Sequence, residues 1–124
     1  MIGEIRKVIT PFYNARTRRC DMKSRPGLII AKADSDDFVI LPVSRVTDSR
    51  RIDPEYDVRV DPGIYPGLNL NAVSYVRTHK QTVVHRAEIG DLISDMKLTY
   101  EDLYLEVITK QSQFSEEVTK QAIG

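Results

Sequence analysis

The hydrophobic pattern of this chain changes its period about two-thirds of the way along the sequence. The first part consists of short segments rich in β-branched and aromatic residues, and turn formers such as Asp61-Pro62-Gly63 separate them. The last third instead has the spacing of one helix face, with apolar residues at Ile89, Leu92, Ile93 and Met96. Many short strands followed by helices predict an α+β fold, in which a small antiparallel sheet or barrel carries helices on its outside.

Individual elements are predicted from alternation, segment length and turn residues. Residues 13–24 are polar and basic and are predicted as the longest early loop, and residues 33–37 as the turn of a hairpin. A second helix is predicted from residues 99–102, which resemble a capping box. Its apolar side comprises Leu103, Val107, Phe114 and Val118. The predicted strands are residues 5–12, 27–31, 38–41, 56–60, 73–76 and 81–84.

A chain of 124 residues is near the common size of one domain. We expect a single domain, with the barrel at about residues 1–85 and the helices at about residues 86–122. No apolar run approaches the roughly 20 residues of a membrane span, and the N-terminus lacks the apolar region of a signal peptide. The single cysteine, Cys20, excludes an internal disulfide and, with two histidines, gives no zinc-type spacing. The sequence therefore predicts a cytoplasmic protein without a membrane anchor, a metal or another cofactor.

Positive charge is concentrated in the first half of the chain, although the net charge is zero. Residues 1–51 carry 11 Lys and Arg against 6 Asp and Glu, whereas residues 52–124 carry 7 against 12. Either the two halves neutralise each other across the fold, or the first half provides a local surface for nucleic acid. Charge alone does not separate these two interpretations.

An arginine stands at the entrance of the most apolar predicted strand, in Lys23-Ser24-Arg25-Pro26-Gly27-Leu28-Ile29-Ile30. The next strand ends at Leu41-Pro42-Val43-Ser44-Arg45. If the two strands pair, Arg25 and Ser44 lie near each other at one end of the sheet. A guanidinium beside a hydroxyl suits a phosphodiester, because the planar guanidinium can bind two phosphate oxygens at once.

Each of these candidates also has a purely structural interpretation. Arg25 could pair with a loop carboxylate such as Asp21, and Ser44 could be a turn-forming hydroxyl. His79 titrates near neutrality and lies in a basic turn between two predicted strands. It is therefore either an acid or base for catalysis or an exposed turn histidine, and His85 is expected to be structural.

Further basic and aromatic residues are candidates for binding a nucleic acid backbone and its bases. The basic residues predicted to contact phosphate are Arg16, Arg18, Arg19, Lys23, Arg45, Arg77 and Lys80. Tyr13 and Tyr75 are candidate platforms for stacking bases. The alternative, that each is an ordinary solvated side chain, stays open for any single residue.

Several short motifs occur along the chain in a recognisable order. They are Lys23-x-Arg25-Pro26-Gly27, Leu41-Pro42-Val43-Ser44, Gly67-Leu68, Ser74-Tyr75-Val76-Arg77 and Ile89-Gly90-Asp91-Leu92. In this order and spacing the sequence resembles the MazF/PemK family of toxins over about residues 3–110. The ordered set is more specific than the Arg-Pro element alone.

This resemblance implies a Src-homology-3-like barrel with appended C-terminal helices. It further implies a homodimeric, metal-independent endoribonuclease that cleaves single-stranded RNA such as mRNA and is neutralised by a cognate antitoxin. The arginine and the hydroxyl residue of the family correspond to Arg25 and Ser44, where serine replaces the usual threonine. The loop before Arg25 lacks the glutamate and glycines that many members carry, so the resemblance does not define the RNA motif that is cut.

Two other functions are compatible with the same resemblance. The related CcdB toxins share the barrel but bind DNA gyrase through the C-terminal helix and have no nuclease activity. The end of this chain, residues 116–124, lacks a tryptophan. The second alternative is an inactive relic that keeps the fold and the ability to bind an antitoxin.

Overall fold

The computed structural model describes residues 1–124 and contains seven strands, two α-helices and three short 3-10 helices. The strands are β1 (Glu4–Asn14), β2 (Arg19–Lys32), β3 (Asp37–Ser44), β4 (Asp57–Val60), β5 (Ser74–Arg77), β6 (Thr82–His85) and β7 (Ile89–Asp95). The α-helices are α1 (Met96–Thr99) and α2 (Glu101–Ile123), and the 3-10 helices are Ser49–Arg51, Pro66–Leu68 and Arg86–Glu88. The predicted α+β order, with strands first and helices last, is confirmed.

All strand pairs are antiparallel, and the sheet has the order β4-β5-β3-β2-β1-β7, with β6 also paired to β3. The β2–β3 hairpin turns at the predicted place. There Asp34 Oδ1 accepts hydrogen bonds from the backbone N–H groups of Asp36 and Asp37, at 3.1 and 3.0 Å. Strand β3 is bordered by β2 on one side and by β6 and then β5 on the other. Its C-terminal end at Ser44 is therefore a junction of three strands.

The larger hydrophobic core joins one face of the sheet to the two helices. Leu28 and Leu41 lie opposite each other on β2 and β3 and are fully buried, as is Val107 of α2. Removing one such side chain from water stabilises the fold by roughly 1.5–3 kcal/mol. This packing holds the ends of β2 and β3 in place, which is where the candidate site lies.

A smaller core lies on the other face, since neighbouring residues of a strand point to opposite sides of a sheet. It contains Val8, Ile29, Phe38, Ile40 and Val84. Gly27 permits this packing, because a Cβ atom there would lie 3.1 Å from side-chain carbons of both Ile40 and Val8. Leu28 and Ile29, the two residues that follow Gly27, thus belong to different cores.

The helix predicted through Ile89 and Met96 is wrong, because residues 89–95 form β7 and pair with β1. The pairing runs from Val8 opposite Ile89 to Glu4 opposite Asp95, with two register shifts between them. Each shift inserts an extra residue into β7, as in a β-bulge. The bulges disturb the alternation of a regular strand, so the apolar residues acquire a spacing that resembles one face of a helix.

The long loop predicted at residues 13–24 is also wrong, since β1 and β2 continue through most of it. The two strands pair as far as Asn14 opposite Arg19. After Val8 in β1 and before Gly27 in β2, the two strands pair only with each other. These outer parts, residues 9–14 and 19–26, form a two-stranded segment that we call the β1–β2 ribbon.

The start of α2 differs from the predicted capping box at residues 99–102. The N-cap is Tyr100, which makes no capping hydrogen bond through its side chain. Its hydroxyl instead accepts a hydrogen bond from the backbone N–H of Gly67, at 2.8 Å. Asp95 caps the short α1 by accepting from the N–H of Leu98, at 3.0 Å. The first turn of α2 is thus held by packing on the loop that contains Gly67.

The apolar side of α2 only partly faces the sheet. Leu103 and Val107 are buried, Phe114 is half-buried, and Val118 is 48% exposed. The helix therefore extends beyond the body of the protein after about residue 114. Neither helix combines the length and the apolar character that crossing a membrane requires.

Candidate functional site

The β2–β3 hairpin brings Arg25 and Ser44 together at one end of the sheet. The last paired residues before this end are Gly27 and Pro42. Continuing the same register by two residues places Arg25 opposite Ser44, with both side chains on one face. Both residues line the same two cavities, which open on either side of them. Arg25 and Ser44 thus form a ridge between two depressions of the surface.

The first cavity has a volume of about 620 Å³ and a strongly cationic wall. Lys7, Lys23, Arg25 and Arg45 line it, and no carboxylate does. Lys7 comes from β1 and the other three from the β2 and β3 ends, so the fold collects these charges from separate segments. Clustered cations in a concave surface focus a positive potential, which favours an anionic ligand. The other lining residues are Ser24, Pro26, Val43, Ser44, Asn69, Leu70, Asn71, Ser74 and Ile93.

The guanidinium of Arg25 is not used in an ion pair of the folded chain. The alternative that pairs it with Asp21 is wrong, because the carboxylate of Asp21 accepts a hydrogen bond from the side-chain amide of Asn14 at 2.8 Å. The Arg25 guanidinium carbon lies 5.8 Å from the centre of the Phe12 ring. A cation over an aromatic face is held by the ring quadrupole and keeps its N–H donors available.

Ser44 is half-buried at the end of β3 and lies opposite Tyr75 of β5. Residues paired across antiparallel strands share a face of the sheet. The Tyr75 ring is therefore a neighbour of the hydroxyl, and Tyr75 in turn lies opposite Arg59 of β4. This row across three strands gives the face beside the ridge an aromatic and a basic side chain.

The second cavity has a volume of about 480 Å³ and a different character. It shares Arg25, Pro26 and Ser44 with the first cavity. Its remaining wall comes from the β1–β2 ribbon, β3, β6 and the 3-10 helix at Arg86–Glu88. Glu88 is the one acidic residue on the walls of either cavity.

Apart from Arg25, the basic residues of the β1–β2 ribbon and of the turn that closes it divide into two groups. Lys23 lines the first cavity, whereas Arg16, Arg18 and Arg19 are exposed at the tip. The tip is built by Asn14, whose Oδ1 accepts from the backbone N–H of Arg16 at 3.0 Å. Arg18 has a φ of 59°, the left-handed conformation that closes the turn. The three tip arginines therefore extend away from the ridge rather than lining either cavity.

Two other predicted residues, Arg77 and His79, do not line the cavities. The guanidinium of Arg77 donates to both carboxylate oxygens of Asp57, at 3.2 and 3.3 Å, and to the backbone carbonyl of Arg51 at 2.7 Å. Asp57 is fully buried and accepts a further hydrogen bond from the N–H of Asp53 at 2.8 Å. Lys80 is exposed in the turn between β5 and β6.

His79 is not the exposed turn histidine that one interpretation of the sequence predicts. Its side chain is only 13% exposed and packs beside the rings of Tyr56 and Phe114, at 6.0 and 6.1 Å between centres. Burial lowers the pKa of His79, and the attraction of Asp57 opposes this change without overcoming it. The positive charges of Arg77 and Lys80 also lower the pKa of His79, to a smaller extent than burial does. His79 is therefore favoured in its neutral form.

His85 has the structural role expected of it, because its Nδ1 accepts a hydrogen bond from the N–H of Ala87 at 3.0 Å. Sequence reasoning missed Lys7, Asn69, Asn71 and Glu88. Lys7 is on an exposed strand position, and the two asparagines are in a loop after Pro66–Leu68. Asn69 has a φ of 57°, and its amide donates to the carbonyl of Ile93 at 2.9 Å. The tripeptide pattern Asn-x-Asn at residues 69–71 is the only local signal, and it is typical of any turn.

Comparison with protein-family models and with curated protein sequences finds no match. Comparison with solved structures finds the fold of a bacterial toxin. The Mycobacterium tuberculosis toxin MazF-mt6 is similar with a TM-score of 0.58 and 17% identity, over 89% of this chain and 96% of that one. A second structure, described as an Mtb toxin, is similar with a TM-score of 0.56 and 16% identity, over 85% of this chain and 99% of that one.

At this level of identity the similarity establishes the fold. The chain has the fold of MazF toxins, a curled antiparallel sheet followed by a C-terminal helix. The predicted barrel of the MazF/PemK type with C-terminal helices is thereby confirmed. Because one fold supports different functions, the activity has to be argued from the site.

Proposed function

We propose that this protein is a toxin of the MazF type that cleaves single-stranded RNA. The observation that carries the proposal is the ridge formed by Arg25 and Ser44 beside a cavity with four cations and no carboxylate. A polyanion is attracted to such a surface, and its phosphates release their condensed counterions as they bind. The fold shared with MazF-mt6 supports the same proposal.

The chemistry uses a group that RNA itself contains. The 2′-OH attacks the adjacent phosphorus, the bond to the 5′-oxygen breaks, and the products are a 2′,3′-cyclic phosphate and a 5′-OH. The nucleophile loses a proton and the leaving oxygen gains one, so charge and atoms balance. Because the nucleophile belongs to the substrate, the reaction needs no metal-bound hydroxide and no other cofactor.

Arg25 stabilises the transition state in this mechanism. Its guanidinium donates two hydrogen bonds to the non-bridging oxygens, where negative charge develops. Arg25 does not act as the base, because an arginine stays protonated at every relevant pH. The hydroxyl of Ser44 donates to a phosphate oxygen or orients the 2′-OH, and it has no competing hydrogen bond to the protein.

The cations around the ridge hold the RNA strand. Lys7, Lys23 and Arg45 bind phosphates next to the cut, and Tyr75 provides a face on which a base stacks. Arg16, Arg18 and Arg19 contact more distant phosphates from the tip of the β1–β2 ribbon, and Lys80 does so from its turn. Arg77 and His79 act indirectly, by holding the strand ends that carry Tyr75.

The proposal extends to the biology of such toxins. The protein acts in the cytoplasm as a homodimer, and a cognate antitoxin neutralises it. Size-exclusion chromatography with light scattering tests whether the protein is a dimer. Co-expression with the product of the adjacent reading frame tests whether that product is the antitoxin, since survival of the host should then depend on it.

The activity is tested with the purified protein and a single-stranded RNA in the presence of EDTA. We expect cleavage, with the ends mapped as a 2′,3′-cyclic phosphate and a 5′-OH. Arg25→Ala should lower kcat by about 100- to 1000-fold, the usual loss for one donor to a developing oxyanion. Arg50→Ala is the matched control, since this arginine is 88% exposed and lies outside both cavities.

Two results contradict the proposed function. One is intact RNA after long incubation with a protein that is folded by circular dichroism. The other is cleavage at the native rate by Arg25→Ala. A folded protein without nuclease activity that inhibits DNA gyrase would instead favour action like that of CcdB.

A further inference from the structure

The second cavity differs from the first in the ligand that it suits. Its wall contains the apolar side chains of Pro11, Met22, Pro42 and Val83, and one carboxylate, Glu88. Its volume of about 480 Å³ is in the range of pockets that bind small organic molecules. Apolar walls with a few polar groups fit a nucleobase, whose faces are apolar and whose edge is polar.

Glu88 is placed to act on a ligand rather than on the protein. It ends the 3-10 helix at Arg86–Glu88 and directly precedes β7, where it is half-buried. It makes no ion pair and no side-chain hydrogen bond within the chain, although Arg25 lines the same cavity. A partly desolvated carboxylate without a donor is costly, and a ligand that supplies N–H groups removes the cost.

The arrangement of the two cavities indicates that they bind different parts of one RNA strand. Arg25 and Ser44 separate the cavities and, under the proposed function, hold the phosphate that is cut. The four cations of the first cavity attract the backbone on one side. On the other side the negative charge of Glu88 repels phosphate, so the second cavity receives a base that is turned away from the backbone.

We propose that Glu88 reads a guanine next to the cut. A carboxylate only accepts hydrogen bonds, and its two oxygens match two donors that lie side by side. The Watson–Crick edge of guanine has such a pair in its N1–H and N2–H groups. Adenine and cytosine each offer one amino group beside a ring acceptor, and uracil offers one N–H between two carbonyl oxygens. Adenine, cytosine and uracil would therefore each place an acceptor atom against the carboxylate.

The inference rests on the proposed function and is tested on the same reaction. The substrates are RNA oligonucleotides that differ in one base, with all four bases placed in turn at each position flanking the cut. We expect the native protein to prefer guanine at one of these positions by about 5- to 150-fold in kcat/KM, the discrimination that one bidentate contact provides.

Glu88→Gln replaces one acceptor by a donor and keeps the size of the side chain. Its guanine preference should fall to about twofold or less, while the rate on the other three RNAs stays within about twofold. Glu88→Ala should lose the preference in the same way, which guards against a misfolded single variant. Glu106→Gln is the control, because Glu106 is exposed on α2 and lines neither cavity.

Three results overturn the inference while leaving the nuclease in place. The first is cleavage by the native protein without a guanine preference, and the second is an unchanged guanine preference in Glu88→Gln. The third is an equal loss of rate on all RNAs in Glu88→Gln, together with a flattened acidic limb of its pH–rate profile. The third result would identify Glu88 as the general base. If the native protein cleaves none of the RNAs, the proposed function fails, and the base-reading role fails with it.

Discussion

The guanidinium of Arg77, on the neighbouring strand β5, donates one hydrogen bond to each oxygen of the buried Asp57 carboxylate. The pair ties β4 to β5 and links the 3-10 helix at Ser49–Arg51 through the carbonyl of Arg51. A charge without exposure to water depends on such a partner, because the interior does not solvate it. This pair therefore stabilises the edge of the sheet next to the candidate site.

Removing the Arg77 guanidinium should destabilise the protein strongly. Arg77→Met leaves the Asp57 carboxylate buried without its partner, and the free energy of unfolding should fall by about 3 kcal/mol. Urea denaturation measures the change. Arg59→Met is the control, since Arg59 and Asp61 form an exposed pair at 3.6 Å, and its loss should cost about 0.5 kcal/mol or less. Equal losses in the two variants would contradict this account of Asp57.

Stability should depend on pH through His79. Burial lowers its pKa below the usual 6.5, so between the two values the unfolded chain binds more protons than the folded one. Stability then rises with pH. The free energy of unfolding should therefore decrease as the pH falls through about 6.5, and this decrease should end below the folded-state pKa. His79→Gln should flatten the dependence between pH 7.5 and 5.5, and an unchanged dependence in this variant would contradict the assignment to His79.

The distal half of α2 should loosen when its aromatic contact is removed. Phe114 meets the Tyr56 ring edge-on at 5.1 Å. Phe114→Ala should lower the free energy of unfolding by about 1–2 kcal/mol, allowing for its partial exposure. Amide hydrogen exchange over residues 111–123 should become faster, with little change in β2 and β3. Val118→Ala is the control, since that side chain is 48% exposed. If exchange over residues 111–123 is equally fast in the two variants, the contact between Phe114 and Tyr56 does not hold this part of the helix.

Gly3 should not tolerate a side chain. It has a φ of 92°, and a Cβ atom there would overlap with the Cβ of Lys97. Gly3→Ala should therefore reduce the free energy of unfolding by about 2 kcal/mol. Gly90→Ala should have no such effect, because its Cβ would make only an ordinary contact of 3.4 Å with the carbonyl of Lys7. Thermal unfolding of the two variants measures this difference, and equal stability of both would contradict the overlap at Gly3.

The salt dependence of RNA binding should report the cations of the first cavity. Each phosphate contact contributes about 0.7 to the slope of log affinity against log salt for single-stranded nucleic acid. Lys23→Gln should reduce the slope by about that amount, measured by fluorescence anisotropy with an RNA that cannot be cut. Lys120→Gln should not, because Lys120 is near the far end of α2. An unchanged slope in Lys23→Gln would show that Lys23 does not contact a phosphate of the bound RNA.

The ridge of Arg25 and Ser44 was predictable because its determinants are local. A continuous apolar strand, a turn of Asp and Ser residues and a second apolar strand define one hairpin, and the register of that hairpin brings the two residues together. The rest of the site comes from distant parts of the chain. Lys7, Asn71 and Glu88 meet the ridge only after the sheet has curled and β7 has paired with β1.

The errors in secondary structure also have specific physical causes. Bulges in the β1–β7 pairing gave Ile89 to Met96 the spacing of a helix. The β1–β2 ribbon contains polar residues because both of its faces meet solvent, so it lacks the apolar alternation of a half-buried strand. The burial of His79 depends on Phe114 in α2, and local sequence around the histidine contains no sign of that contact.

The β1–β2 ribbon pairs only with itself, and this makes its length independent of the core. Adding two residues to each arm keeps the alternation of its faces, so every existing side chain retains its side. Such an insertion moves the tip that carries Arg16, Arg18 and Arg19 outward by about 7 Å, at about 3.4 Å per residue. Under the proposed function, small insertions in this one hairpin thus change how far along a bound RNA strand the protein reaches. Divergence in this segment can proceed without any compensating change in the residues of the two cores.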